Sequence, residues 1–309
     1  MNILITGCCG FIGSHLCEAL LKNNENIWGI DNMNNYYDPI LKYRNLSILK
    51  KYNNFKFFED DLVTTKIIEN NKFDLVINIG AMAGVRYSLE NPEIYFKTNV
   101  EGQTHLLNEC SKYNVKKYIY ASSSSVYGCN QKIPFSESDP LNNINSPYAC
   151  SKACGELIAK LYNRLYGIST IGLRFFTVYG PRGRPDMAPY KFINNIKNEN
   201  PIDKYGEGDT YRDYTYIDNI IESIVKIIYN QKNNECEIFN IGNGNPINLN
   251  DFIKTCEDIT NKKAIINKLP DQKGDVPKTF ADCSKLENKI GKIEKITIKE
   301  GLKKYFETL

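Results

Sequence analysis

The sequence contains only two histidines, and none of its ten cysteines forms a C-x-x-C pair. A zinc site needs several such ligands at close spacing, so no metal centre is expected. No stretch approaches the roughly 18 apolar residues of a membrane-spanning helix, and no membrane association is predicted. The net charge is only +3, and the lysines are dispersed rather than clustered, which argues against a nucleic-acid partner.

The sequence also lacks the signs of secretion. Its first residues already have the pattern of a β-strand, so no signal peptide is expected. Cysteines without a secretion signal indicate reduced thiols and a cytoplasmic location. The 309 residues exceed one minimal domain and can bury a large core.

A predicted strand, a glycine turn and a helical pattern follow one another at the N-terminus. Residues 2–6 form the strand, the turn spans residues 7–13, and the helix is expected from Ser14. The three glycines permit a sharp turn, a close approach to phosphates and tight packing of helix on strand. Helix N-termini bind anions. These residues are therefore predicted to hold the pyrophosphate of a dinucleotide: Gly7, Gly10, Phe11, Ile12 and Gly13.

The second predicted strand, residues 26–31, ends in Asp31. A carboxylate about twenty residues beyond the glycines accepts hydrogen bonds from the ribose hydroxyls of adenosine and repels a 2′-phosphate. NAD is therefore favoured over NADP, although a strand-end aspartate can also be merely solvated.

Strands and helices alternate through the first half, which predicts an α/β fold with a Rossmann-type, doubly wound parallel sheet. The predicted strands are 2–6, 26–31, 55–59, 73–79, 116–122 and 168–175, with a helix at 91–113. Beyond Thr177 the pattern is irregular, but a strand at 236–241 returns to the sheet. This predicts a Rossmann domain of residues 1–176 plus 236–241, and a smaller C-terminal lobe of residues 177–235 and 242–309.

A serine cluster and a Tyr–Lys pair are the candidate catalytic groups. Ser123 and its neighbours follow the fifth predicted strand, whose carboxyl end faces the ligand crevice of such a sheet. Ser146 and Pro147 are typical of a helix start, which places Tyr148 and Lys152 at i and i+4 on one helix face.

An ammonium beside a phenol makes a tuned general base. Lowering the pKa of a tyrosine from about 10 to about 7 takes about 4 kcal/mol, which one charge at about 4 Å supplies at an effective dielectric near 20. Such pairs also occur by chance on amphipathic helices, but the dinucleotide turn and the serine cluster favour catalysis here.

These features resemble the extended short-chain dehydrogenase/reductase family over nearly the whole chain. The resemblance rests on the glycine turn, Asp31, Asp61-Leu62, Asn99, Ser123, Tyr148, Lys152 and Arg212-Asp213-Tyr214. The chain looks like the nucleotide-sugar epimerase/dehydratase group, and most like UDP-glucuronate 4-epimerases, at residues 83–88, 173–181, 183–188, 274–277 and 280–282. Two positions depart from the pattern, since Asn78 replaces a usual histidine and Lys273 a usual proline.

The resemblance implies an NAD cofactor, a UDP-sugar substrate bound by the C-terminal lobe, and a role for each residue. Tyr148 would remove the proton of the sugar 4-hydroxyl, Ser123 would hydrogen-bond the same oxygen, and Lys152 would hold the nicotinamide ribose and lower the pKa of Tyr148. Further implied cofactor-binding residues are Asn32, Asp61, Leu62, Ala81 and Asn99, beside Tyr148 and Lys152 themselves. The implied substrate-binding residues are Arg86, Ser124, Ser125, Thr177, Arg184, Arg212 and Thr279.

Several of these substrate assignments have simpler alternatives. Arg212 resembles the family's diphosphate-binding arginine, but an arginine of this kind can also form a surface salt bridge. Arg86 and Arg184 are candidates for a sugar carboxylate or phosphates, although turn arginines are usually solvated. Thr279 matches a position that limits bulk at the sugar C2, where a small residue leaves the pocket permissive.

Three reactions share the 4-keto sugar intermediate. Related dehydratases carry Asp and Glu directly after the catalytic hydroxyl residue, and related UDP-glucuronate decarboxylases carry Glu at the second place, whereas this chain has Ser124 and Ser125. Elimination therefore lacks its expected acid–base pair. We expect an NAD-dependent epimerase that converts UDP-glucuronate to UDP-galacturonate, with a UDP-sugar 4,6-dehydratase or a UDP-glucuronate decarboxylase as the alternatives.

Two other classes are less favoured. Asp31 argues against a reductase that turns over NADPH. The intact Tyr–Lys pair argues against an inactive NAD-sensing regulator.

The resemblance also implies a homodimer through the helices at about 91–113 and 148–166. Leu157, Leu161 and Leu165 lie at a spacing that could face a partner. Alternatively, this stripe only covers the sheet.

Overall fold

The computed structural model describes residues 1–270 and 276–309. Its strands are β1 (Asn2–Thr6), β2 (Asn26–Asp31), β3 (Phe55–Glu59), β4 (Leu75–Asn78), β5 (Lys117–Ser123), β6 (Ser169–Phe175), β7 (Thr177–Tyr179), β8 (Ile202–Tyr205), β9 (Tyr211–Tyr216), β10 (Cys236–Ile241), β11 (Pro246–Asn248) and β12 (Ile266–Leu269). Its α-helices are α1 (Phe11–Lys22), α2 (Ile40–Leu49), α3 (Val85–Glu90), α4 (Pro92–Tyr95), α5 (Gly102–Lys112), α6 (Pro147–Tyr166), α7 (Ala188–Lys197), α8 (Ile217–Asn230), α9 (Leu249–Thr260), α10 (Ser284–Ile290) and α11 (Ile298–Phe306).

Seven strands form the central sheet in the order β10-β6-β5-β4-β1-β2-β3, and every neighbouring pair is parallel. The predicted Rossmann-type fold is thereby confirmed. The predicted strands are found within two residues of their expected bounds, and β10 returns to the sheet beside β6 as predicted.

The sheet is buried on both faces because its central strands are continuously apolar. Successive side chains of a strand point to opposite faces. Ile3 and Ile5 of β1 therefore pack with Leu16 of α1, while Leu4 between them packs with Leu106 of α5. Helices on both faces hold the strand ends in place, and α8 packs against α1.

Two helix boundaries differ from the prediction. The helix expected at 91–113 is divided, because a π-helical turn at Phe96–Glu101 separates α4 from α5. The first helix begins at Phe11 rather than Ser14, with Gly10 as its N-cap.

The helix that carries the Tyr–Lys pair has the expected bounds. The side chain of Ser146 accepts a hydrogen bond from the backbone N–H of Ala149, and Gly167 ends α6 in the left-handed conformation. A short 3₁₀ helix, Ser124–Tyr127, follows β5.

Two small sheets, β11-β9-β7 and β12-β8, lie outside the central sheet. The buried carboxylate of Asp213 on β9 accepts hydrogen bonds from the backbone N–H groups of Asn243, Gly244 and Ala281, which ties three distant segments together. Lys273, Gly274 and Asp275 were named above for their part in the family resemblance, and they lie outside the described residues. The division into two domains stays a prediction. Of the helices described here, none has the length and apolar character needed to cross a membrane.

Candidate active site

A cavity of about 980 Å³ joins the glycine turn to the C-terminal part of the chain. It lies at the carboxyl ends of the sheet strands, where ligands of doubly wound folds bind. The predicted site residues in its lining are Gly7, Gly10, Phe11, Ile12, Gly13, Asp31, Asn32, Leu62, Ala81, Arg86, Ser123, Ser124, Ser125, Tyr148, Lys152, Thr177, Arg184 and Arg212.

The glycine turn has no room for side chains at Gly7 and Gly13. Gly7 has φ +65°, and a Cβ on Gly13 would lie 2.1 Å from the carbonyl oxygen of Gly7. Gly10 caps α1 without a side chain, so the N–H groups of the first helical turn are open to an anion. This cradle fits the pyrophosphate of a dinucleotide.

Asp31 lies at the end of β2 and is buried. Its carboxylate accepts hydrogen bonds from the backbone N–H groups of Cys9, at 3.2 Å, and Met33, at 3.0 Å. The side chain lines the cavity beyond the glycine turn, where it suits an adenosine ribose. The cradle and this carboxylate together make a donor and acceptor set that fits NAD.

Ser123 and Tyr148 both line the cavity and are joined by a hydrogen bond. The Oγ atom of Ser123 accepts a hydrogen bond from the backbone N–H of Ser125 at 3.1 Å, which leaves its hydroxyl proton for another acceptor. Burial raises the pKa of Tyr148, while hydrogen bonding by Ser123 and the positive charge of Arg184 act in the opposite direction. Both groups therefore favour the phenolate that a general base needs.

Lys152 is buried one helical turn from Tyr148. Its ammonium donates a hydrogen bond to the carbonyl oxygen of Ala121 at 3.0 Å. Burial lowers the pKa of Lys152 to about 8. Ser123 and Arg184 also lower the pKa of Tyr148, and the predicted effect of Lys152 on that pKa stays a prediction.

A buried ion pair fixes α6 on the sheet. Glu156, one turn beyond Lys152, receives two hydrogen bonds from the guanidinium of Arg174 on β6, at 2.8 and 2.7 Å. The hydroxyl of Ser122 donates to the same carboxylate at 2.6 Å. Because Ser122 directly precedes Ser123, these contacts set the position of α6, which carries Tyr148, relative to β5, which carries Ser123.

Arg184 is held in place by residues from both halves of the chain. Its Nε atom donates to Asp186 at 3.0 Å, and its Nη2 atom donates to the carbonyl oxygen of Ala83 at 3.1 Å and to the hydroxyl of Tyr36 at 3.4 Å. Burial opposes the charge of Arg184, but the Asp186 carboxylate outweighs it and raises the pKa of the guanidinium. The site therefore keeps a fixed positive charge near Tyr148.

The two other candidate arginines lie elsewhere in the lining. The guanidinium of Arg86 stacks over the ring of Tyr205, 4.7 Å from its centre, which brings α3 and β8 together. Arg212 on β9 donates to the carbonyl oxygens of Tyr211, at 3.0 Å, and Pro277, at 3.4 Å.

Three predicted site residues do not line the cavity in the described part of the chain: Asp61, Asn99 and Thr279. Asp61 accepts a hydrogen bond from the side chain of Asn32 at 2.9 Å. Asn99 is bound to both backbone groups of Met82. The hydroxyl of Thr279 accepts from the backbone N–H of Asp213 at 3.1 Å. Their assigned roles stay predictions.

Four further residues of the site are not among those predicted from the sequence. The ring of Tyr95 packs edge-on against Tyr148, with 5.9 Å between ring centres. Tyr36 and Asp186 hold Arg184, and Lys42 contacts Asp31. Asp186 lies in the stretch 183–188 that carries the family resemblance, but the other three belong to no motif or helical spacing that could have revealed them.

Comparison with known proteins gives consistent results. A family model described as "NAD dependent epimerase/dehydratase family" matches residues 3–242. An uncharacterised protein of Methanocaldococcus jannaschii is 47% identical over 312 residues, which cover 98% of this chain and 94% of that protein. A UDP-glucuronate 4-epimerase of Thermodesulfobacterium geofontis is 42% identical over 306 residues, which cover 97% of this chain and 94% of that protein.

Solved structures agree with these sequence matches. The crystal structure of UDP-glucuronic acid 4-epimerase from Bacillus cereus, in complex with UDP-glucuronic acid and NAD, superimposes with a TM-score of 0.95 at 34% identity. The match covers 100% of this chain and 98% of that one.

Proposed function

The chain belongs to the NAD dependent epimerase/dehydratase family, and we propose that it is a UDP-glucuronate 4-epimerase with NAD as its cofactor. One observation carries the proposal: a single cavity joins the glycine turn to Ser123, Tyr148 and Lys152. The match to UDP-glucuronate 4-epimerases over nearly the full length supports it.

The residues of the cavity divide between cofactor and substrate. The N–H groups at the start of α1 would hold the pyrophosphate of NAD, Asp31 the adenosine ribose, and Lys152 the nicotinamide ribose. When bound, NAD supplies a reversible hydride acceptor, so the overall reaction needs no external oxidant. Arg212 and Arg86 supply positive charge for the UDP diphosphate.

Tyr148 is the general base for the sugar 4-hydroxyl. It takes the proton as the 4-keto sugar forms and returns it when the opposite face of the ketone is reduced. Ser123 donates a hydrogen bond to the same sugar oxygen, while the N–H of Ser125 donates to its Oγ atom and holds the hydroxyl in place. The fixed charge of Arg184 stabilises the phenolate that takes this proton and that forms again when the proton is returned.

Ser124, Ser125 and Arg184 are the groups proposed to bind the sugar carboxylate. A 4-keto glucuronate is a β-keto acid, which loses CO₂ when its carboxylate is free to align with the ketone. Two hydroxyls and a guanidinium can hold the carboxylate away from that alignment. All three side chains line the cavity together with Tyr148.

Product analysis by mass spectrometry and NMR tests the proposal. With UDP-glucuronate as substrate, we expect UDP-galacturonate of unchanged mass. Loss of CO₂ would identify a decarboxylase instead, and loss of water from UDP-glucose or UDP-N-acetylglucosamine would identify a dehydratase. Either result would mean that another side chain supplies the acid or base that Ser124 and Ser125 lack.

We also propose that the protein forms a homodimer through α6 and the neighbouring helices. Leu157, Leu161 and Leu165 are 69%, 49% and 59% exposed in the single chain, so this stripe does not cover the sheet. Ile94 and Phe96 are also exposed on the adjoining segment. An apolar surface of this kind is typical of a subunit interface.

A cytoplasmic location is part of the proposal. All ten cysteines are free thiols, including two on the surface, Cys129 and Cys236. This arrangement suits a reducing compartment.

A further inference from the structure

A lysine forms an ion pair with Asp31, the carboxylate that is expected to select NAD. The ammonium of Lys42, from α2, lies 3.3 Å from Oδ1 of Asp31, and both side chains are only 6% exposed. Both side chains also line the cavity. The adenosine end of the site therefore presents an ion pair rather than an isolated negative charge.

The hydrogen bonds of this pair leave one position open on each partner. The Asp31 carboxylate accepts from Met33 and Lys42 on Oδ1, and from Cys9 on Oδ2. A carboxylate has about four acceptor positions, so Oδ2 can take one more donor. Lys42 has three N–H groups, and the structure records acceptors for two of them within the described residues, Asp31 and Asn34.

This arrangement suits two neighbouring hydroxyl groups. One ribose hydroxyl can donate to Oδ2 of Asp31, and the other can accept from Lys42. A 2′-phosphate, with nearly two negative charges, would meet a carboxylate whose charge Lys42 already balances. The exclusion of NADP therefore depends on a balance between two opposite charges.

On the basis of the proposed NAD-dependent function, we propose that Lys42 is a cofactor-specificity residue and that Asp31 masks a binding site for a 2′-phosphate. Removing the Asp31 charge would leave the Lys42 ammonium buried, held by Asn34 and close to the ring of Tyr37, 5.5 Å from the ring centre. An uncompensated buried cation favours an anionic ligand. Loss of the Asp31 carboxylate should therefore shift the preference of the site from NAD toward NADP.

The test measures which nucleotide the purified enzyme holds. Wild type, Asp31→Asn, Lys42→Met and the double variant are incubated with equal excess amounts of NAD and NADP. Bound nucleotide is then extracted and quantified by chromatography. We expect Asp31→Asn to raise the NADP-to-NAD ratio by about tenfold or more, because a charge of one unit acts on the phosphate at about 4 Å. In the double variant, the ratio should fall back toward that of wild type.

A matched control shows whether the effect is specific to Lys42 or follows from the loss of any lysine charge. Lys51 is an exposed lysine just beyond α2. The variant Asp31→Asn/Lys51→Met should keep the raised NADP-to-NAD ratio of Asp31→Asn. If Asp31→Asn does not fold, as judged by its thermal melt, Asp31→Ser takes its place in the same comparisons.

Each outcome bears on the proposal. The proposal is overturned if Asp31→Asn and the double variant have equal NADP-to-NAD ratios. It is also overturned if neither folded Asp31 variant has a higher ratio than wild type. Wild type that holds neither nucleotide would overturn the proposed function as well. Wild type that holds NAD but does not convert UDP-glucuronate would overturn only the choice of reaction.

Discussion

The ammonium of Lys152 donates a hydrogen bond to the carbonyl oxygen of Ala121 at 3.0 Å. Ala121 lies on β5, two residues before Ser123, so one contact ties α6, which carries the proposed base, to the strand that carries the proposed catalytic hydroxyl. The lysine therefore has a structural role in the site besides its expected contact with the nicotinamide ribose.

Replacing Tyr148 with phenylalanine should remove nearly all turnover while nucleotide-sugar binding survives. The ring remains to pack against Tyr95, but the group that takes the proton is lost. Losing a general base costs roughly 10²–10⁴-fold in rate. Turnover is measured by product NMR and binding by calorimetry, and near-normal turnover would contradict the mechanism.

Lys152 should make the stability of the protein depend on pH in a defined direction. Burial lowers its pKa to about 8 in the folded state, whereas the unfolded chain has a pKa of about 10.5. Between these values the unfolded state binds more protons, so folding becomes more favourable as the pH rises. Relative to Lys152→Met, the wild type should gain about 2 kcal/mol in unfolding free energy between pH 7 and 9.5.

Urea titrations of both proteins at the two pH values measure this difference. Only the change in unfolding free energy with pH is compared, so an effect of altered NAD binding that is equal at both pH values cancels. If the difference in unfolding free energy between wild type and Lys152→Met is the same at both pH values, the ammonium of Lys152 is not buried as described.

Ser125→Glu should suppress the turnover of UDP-glucuronate. It places a second carboxylate beside the sugar carboxylate, and like charges about 4 Å apart cost roughly 4 kcal/mol at an effective dielectric near 20. Ser125→Gln is the matched control, because it has the same size without the charge. Parental rates in the glutamate variant would show that the sugar carboxylate does not bind beside this loop.

Leu161→Asp should produce a monomer, because it puts a charge in the middle of the exposed apolar stripe of α6. Light scattering at micromolar concentration measures the mass in solution. Ile266→Asp, on β12, changes another residue that is 43% exposed and should leave the dimer intact. A monomeric wild type would refute the proposed assembly.

The sequence was sufficient for features that depend on local geometry. The glycine turn, the strand that ends in Asp31 and the i, i+4 pair on α6 each follow from backbone constraints within a few residues. Contacts between distant segments could not be predicted in this way. Arg184 meets Tyr36 across 148 positions, and only the packed fold brings them together.

The charge environment of Tyr148 illustrates the same limit. Helix spacing places Lys152 beside it, and simple electrostatics then predicts that this lysine lowers the pKa of Tyr148. The structure shows in addition that the lysine donates to a backbone carbonyl and that Arg184 brings a second positive charge near the phenol. Side-chain direction depends on which acceptors the surrounding strands offer, and a sequence pattern does not contain that information.

Helix α6 presents Tyr148, Lys152 and Glu156 on its inner face and three exposed leucines on its outer face. If the proposed dimer forms there, dilution becomes an experimental variable for catalysis. Specific activity would then fall as the enzyme concentration drops below the dissociation constant of the subunits. An assay run at nanomolar enzyme would report assembly as well as chemistry.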